Sequence, residues 1–169
     1  MAGKLVQIAT NTVTSAVSTV TLTGIDSDNV YLVTYNNWRC GTDTTQNRLR
    51  ITKSGSAQVS SEYDFTSKLM YSSTSFSDNR QTNLTFVGQD FIGTGTGEAS
   101  NGTLYLYNFN SSSEFSFITQ EEVNFSHNPR LTGVMGGIVH TVASASDGIQ
   151  FLVSAGNITA GTFTLYKVV

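Results

Sequence analysis

Gly161-Thr162-Phe163-Thr164-Leu165-Tyr166-Lys167-Val168-Val169 alternates side-chain character along its length. Side chains of an extended strand point to opposite faces in turn. Phe163, Leu165 and Val169 then share one face, and Thr162, Thr164, Tyr166 and Val168 share the other. The preceding Asn157-Ile158-Thr159-Ala160-Gly161 suits a turn and a bend into a sheet. The stretch reads as a strand that closes a sheet, with its two final valines paired inside the fold.

The same alternation recurs outward from there. Leu5-Val6-Gln7-Ile8-Ala9, Thr12 to Val17 and Thr19-Val20-Thr21-Leu22-Thr23 read as short strands, the last with Val20 and Leu22 inward. Gly24 to Asn29 reads as a turn. Val30-Tyr31-Leu32-Val33-Thr34-Tyr35 is nearly continuous in strand formers, as expected of a central strand covered on both faces. Arg48-Leu49-Arg50-Ile51-Thr52-Lys53 places Leu49 and Ile51 inward. Glu62 to Tyr71 reads as an aromatic-bearing excursion, Ser72 to Asn79 as a surface loop, and Asn83 to Val87 as a strand. Asn101-Gly102 is a tight-turn dipeptide. Strands are then expected over Thr103–Phe109, Glu114–Thr119, Thr132–His140 and Ile149–Ser154. The one proline, Pro129, is expected to hold a turn with a trans bond.

Composition agrees. Charged residues are 12% of the 169, against about 25% in a typical globular chain. Ser and Thr make up roughly a quarter, which favours strands and turns over helix. The expected fold is all-β: a single domain over residues 1–169, an antiparallel, jelly-roll-like β-sandwich of about eight to ten strands without a long helix. An up-and-down barrel is the competing arrangement.

Net charge is −3 and the pI near 5.2, the wrong sign for a nucleic-acid partner, which recognises a basic face. Arg48, Arg50 and Lys53 form the one basic cluster, read as a solvated face or an interface pair. No run approaches 18 apolar residues, so no membrane partner is expected, and the start lacks the apolar run of a signal peptide. Cys40 is alone and reads as a half-buried structural thiol.

Motifs with chemical content are weak. Asp26-Ser27-Asp28-Asn29 offers alternating oxygens but lacks the EF-hand glycine and late glutamate, and reads as an Asx turn. Glu121 and Glu122 would point to opposite faces of a strand, so they cannot flank one glycosidic bond; they read as solvent-facing loop charges. His127 and His140 have no neighbours at zinc-ligand spacing. Gly93-Thr94-Gly95-Thr96-Gly97 lacks the lysine and helix of a phosphate loop. The sequons at Asn83, Asn101, Asn110, Asn124 and Asn157 are expected by chance in a chain this rich in Ser and Thr. No catalytic residue, metal site or cofactor is expected. The positive hint is aromatic: Trp38, Tyr63, Tyr71 and Phe76 sit in or beside expected loops. They either anchor a binding interface or cap the ends of the core.

Leu5–Ala9, Ser15–Ser27, Tyr31–Asn37, Asn47–Ile51 and Gly161–Tyr166, taken together, resemble small virion proteins of tailed bacteriophages, marine and cyanobacterial ones above all. The resemblance covers both ends and much of the first third; the middle, about residues 54–100, is unmatched. It implies a β-sandwich on the particle exterior, with other virion proteins as partners and a homo-oligomeric state. The implied role is a capsid decoration or knob protein, assembled in the host cytoplasm. The alternative it implies is a tail-fibre domain that binds a host surface glycan in a shallow pocket near Trp38 or Tyr71.

Overall fold

The computed structural model describes residues 3–73 and 75–169; Met1 and Ala2 of the start, and Thr74 of the expected surface loop, lie outside them. Thirteen strands are present among the described residues, and no helix. They are β1 (Leu5–Val13), β2 (Thr19–Thr23), β3 (Tyr31–Cys40), β4 (Thr45–Lys53), β5 (Ser56–Ala57), β6 (Tyr63–Tyr71) and β7 (Phe76–Leu84). The rest are β8 (Val87–Ile92), β9 (Ser100–Tyr107), β10 (Ser116–Phe125), β11 (Leu131–His140), β12 (Gly148–Val153) and β13 (Ile158–Val168).

All named pairings are antiparallel, in an eight-stranded sheet ordered β1-β13-β3-β9-β10-β11-β6-β7 and a five-stranded sheet ordered β2-β12-β4-β5, with β8 also on β4. The winding is a rolled-up hairpin. β1 pairs β13, β2 pairs β12, β3 pairs β9 and β4 pairs β8. Successive members of these eight strands cross from sheet to sheet, except β4 to β8, which is the jelly roll. Two insertions enlarge it. β5–β7 leaves between β4 and β8, and β10–β11 between β9 and β12; they meet where β11 pairs β6 and lengthen one sheet by four strands. These insertions bring the strands above the expected eight to ten.

One core joins the sheets. Tyr31, Val33 and Tyr35 of β3, Leu104 and Leu106 of β9, and Phe163 and Leu165 of β13 face Val20, Leu22, Leu49, Ile51, Ile149 and Phe151 of the smaller sheet. The inward assignments of Val20, Leu22, Leu49, Ile51, Phe163 and Leu165 all hold. Val169 does not stay inside: it is exposed at the edge, its amide donating to the Lys4 carbonyl.

Several boundaries differ from the sequence reading for identifiable reasons. β1 runs unbroken to Val13, and 14–18 is a corner that touches β13 through a Val17–Ile158 bridge. Asn101-Gly102 is not a turn. It lies within β9, where Gly102 leaves room for the Tyr35 ring. Phe76 to Asn79 is not loop but the first half of β7. Leu84 ends β7 and Val87 begins β8, so the expected 83–87 strand is a crossing between sheets. Arg48 and Arg50 hold that crossing: the Arg48 guanidinium lies 3.8 Å from the Phe86 ring centre and Arg50 Nε donates to the Thr85 carbonyl at 3.0 Å. They are half-buried ties rather than a free basic face.

Candidate functional site

The four aromatics singled out from the sequence do not form one site. Trp38 is fully buried, its ring edge-on to Tyr35, Phe151 and Phe163 at 5.5, 5.5 and 5.4 Å between centroids. It belongs to β3 because a bulge at Asn37, in the left-handed region at φ 54°, carries the strand past the expected exit. Tyr63 is buried as well. Its hydroxyl accepts from the Ile51 amide at 3.0 Å and donates to the Gln58 carbonyl at 2.9 Å, and burial pushes the phenol up to about 12. Neither ring can stack on a ligand. Tyr71 is half-buried, covered by the Arg130 guanidinium at 3.7 Å, whereas Phe76 on β7 is 70% exposed, with Lys68 Nζ 5.8 Å from its ring centre.

A different surface stands out. β10 alternates without exception, with even-numbered Ser116 to Asn124 buried and odd-numbered Phe117 to Phe125 exposed. The polarity is inverted. Gln120, Glu122 and Asn124 point in, whereas Phe117, Val123 and Phe125 point out. β11 continues the pattern: Leu131 and Met135 are 51% and 50% exposed. Register then aligns the outward residues in rows across four strands. Asp64, Val139, Phe117 and Tyr107 form one row; Thr66, Gly137, Thr119 and Tyr105 the next; Lys68, Met135, Glu121 and Thr103 the third. Gly137 between Thr66 and Thr119 leaves a depression. A groove of about 770 Å³ opens there, walled by Phe117, Val139, Arg80 and Gln81. Two smaller hollows, of about 570 and 220 Å³, continue along the same face beside Met135 and Tyr105.

The inner face of this extension is polar because β8, bearing Gln89 and Asp90, is the strand of the smaller sheet that reaches β10, β11 and β6. Glu121 and Glu122 do point to opposite faces, as expected of neighbours in a strand, but they are in β10 and not in a loop, and Glu122 is only 5% exposed. Tyr35 donates to its Oε2 at 2.8 Å and Asn124 Nδ2 to its Oε1 at 2.9 Å. Burial, with Asp90 nearby, raises its pKa to about 7. Tyr35, Glu122 and Asn124 thus form a buried hydrogen-bonded network between the sheets.

The remaining groups have structural partners. Ser27, Lys167 and Tyr31 donate to Asp26 Oδ1 at 3.0, 3.3 and 3.0 Å, and these bonds hold its carboxyl below the ordinary range. His140 is buried against Tyr63, its Nε2 3.2 Å from Glu62, and burial lowers its pKa. His127 packs edge-on to Phe91. The Cys40 thiol donates to the Thr42 carbonyl at 3.1 Å, and burial raises its pKa. The Gly93–Gly97 loop is folded over Glu98, whose carboxylate accepts the Gly95 amide at 2.7 Å.

The outer-face residues Tyr105, Phe117, Val123, Phe125, Leu131 and Met135 were missed from the sequence, although the signal was present. An alternating strand with amides and a carboxylate on one side and aromatics on the other has two faces; only the fold says which is in. Compared with family models, curated proteins and solved structures, the chain finds no match.

Proposed function

We propose that this chain is a structural protein of a bacteriophage virion, a capsid decoration or knob protein that docks on its particle through the outer face of β9, β10, β11 and β6. The inverted polarity of β10 carries the reading. Monomeric proteins rarely leave contiguous apolar patches larger than a few hundred Å² to water. Here Phe117, Val123, Phe125, Leu131 and Met135 stand exposed on one face of adjacent strands. A sheet face that mixes exposed apolar side chains with scattered charges suits a protein lattice. The resemblance of the chain's two ends to phage virion proteins agrees, and the jelly roll is a scaffold that capsid and lectin domains both use. Fold alone does not assign function.

Purified protein added to particles lacking it should co-sediment with them to saturation. Leu131→Asp and Met135→Asp should each weaken that binding by about 10-fold or more while leaving the thermal melt within a few degrees, since both side chains already face water. Wild-type protein that stays in the supernatant would end the reading.

The groove beside Phe117 favours a second reading, a tail-fibre or receptor-binding domain. An aromatic wall with Thr66, Thr119, Arg80 and Gln81 offers both a stacking surface and hydrogen-bonding groups to a sugar. On a glycan array this reading requires a hit that Phe117→Ala removes.

A further inference from the structure

β7 is the outermost strand of the eight-stranded sheet, paired on one side by β6 alone. The backbone groups along its other side have no strand to meet, and every residue except Asn79 and Leu84 is exposed. Edge strands in stable monomers are usually shortened, bulged, or protected by lysine or proline. β7 is nine residues long, contains neither residue, and pairs regularly with β6 from Phe76 to Gln81; its irregularity lies beyond Gln81.

Its two charges are Asp78 and Arg80, placed either side of Asn79. Both lie on the outer face, since Asp78 is opposite Lys68 and Arg80 opposite Thr66. A two-fold contact makes a strand meet its own reverse. Centred on Asp78 it would oppose two carboxylates, and centred on Arg80 two guanidinium groups. Centred on Asn79 it sets Asp78 against Arg80 of the second copy, twice, on one face. Ser77 then meets Gln81 and Phe76 meets Thr82. Lys68, 2.7 Å from Asp78, lies on that same face, so each Asp78 would sit between two cations.

We infer that a second copy of this chain pairs antiparallel with β7 about a two-fold axis through Asn79, joining the two large sheets into one. The occupant is identified by charge: the edge is complementary to itself in this register. Such a seam buries less than a standard interface, so association in the micromolar range is expected. The inference rests on the edge alone and stands whether or not the chain decorates a particle.

Sedimentation velocity across a micromolar concentration series tests it. Wild-type protein should show a monomer–dimer equilibrium. Asp78→Arg and Arg80→Asp each place like charges opposite one another and should weaken dimerisation on the order of 10-fold or more. An equimolar mixture of the two variants restores both unlike pairs and should dimerise as the wild type does. Amide hydrogen exchange on wild-type protein gives a readout free of substitution: the outward amides of residues 77–81 should gain protection as concentration rises. A wild type that stays monomeric, single variants that dimerise unchanged, a mixture that stays apart, or amides indifferent to concentration would each overturn the inference.

Discussion

Trp38→Ala should remove about 3–5 kcal/mol of folding stability, a large share of the roughly 5–15 kcal/mol a domain has. The ring is 0% exposed and meets three aromatic rings edge-on, two of which, Phe151 and Phe163, also pack on each other at 4.9 Å. Phe151 comes from the smaller sheet and Phe163 from the larger, so truncation opens a cavity where the layers meet. Collapse into it is resisted because the two backbones already lie close there: a Cβ added to Gly161 of β13 would lie 3.1 Å from the Trp38 Cα of β3. Trp38 is the one tryptophan, so urea unfolding is best followed by far-ultraviolet circular dichroism. Its indole N–H is buried without a partner, a cost that Trp38→Phe removes, so that variant should lose much less than the alanine. Phe76→Ala, on the open edge, should change stability by about 0.5 kcal/mol or less. A loss below about 1 kcal/mol for Trp38→Ala would contradict the packing described.

Glu122 should make the protein less stable as pH rises from about 4.5 to about 7. Burial lifts its folded pKa to about 7 from an ordinary 4.5, so the folded state binds the proton more tightly than the unfolded chain does. The stabilisation is complete below the unfolded pKa and is lost as pH passes through the folded one. The gap corresponds to about 3 kcal/mol. His140 works in the opposite direction. Its imidazole is held below 6.5 by burial, and its contribution is lost as pH falls below that value. The two slopes overlap, so the informative quantity is the difference between wild type and Glu122→Gln. Urea midpoints at pH 5 and pH 8 should show the variant gaining on the wild type by about 2.5 kcal/mol across that interval, since part of the effect is already lost at pH 5. A difference that does not move with pH would mean the carboxyl is not paying for burial.

The same two residues show where the sequence was legible. Alternation in Arg48–Lys53 and Gly161–Leu165 identified the inward residues because the polar partners there are charged or hydroxylic and the apolar ones aliphatic or aromatic. Burial alternates just as regularly in β10, but the strand was expected to end at Thr119, which left Glu121-Glu122 as loop charges and misplaced Glu122. Local pattern defines two faces, and only the return of β8 beneath the insertion decides that the amide-rich one is enclosed. Trp38 was misplaced for a backbone reason: Asn36-Asn37 has the composition of a turn, and a left-handed Asn37 gives a bulge instead. Exposure of Phe117, Leu131 and Met135 depends on the meeting of two insertions 50 or more residues apart in the chain, which no local window contains.

Pairing between β1 and β13 joins Thr10 to Thr164 and Lys4 to Val169, nearly the full length of the chain apart. Closing a loop that long costs entropy before any contact rewards it. β1, an edge strand whose one neighbour is β13, therefore stays unpaired until β13 is in place. High contact order places such a chain among slow folders, on the millisecond-to-second scale. During that interval the unpaired ladder of β1 is open to mispairing with a neighbouring chain.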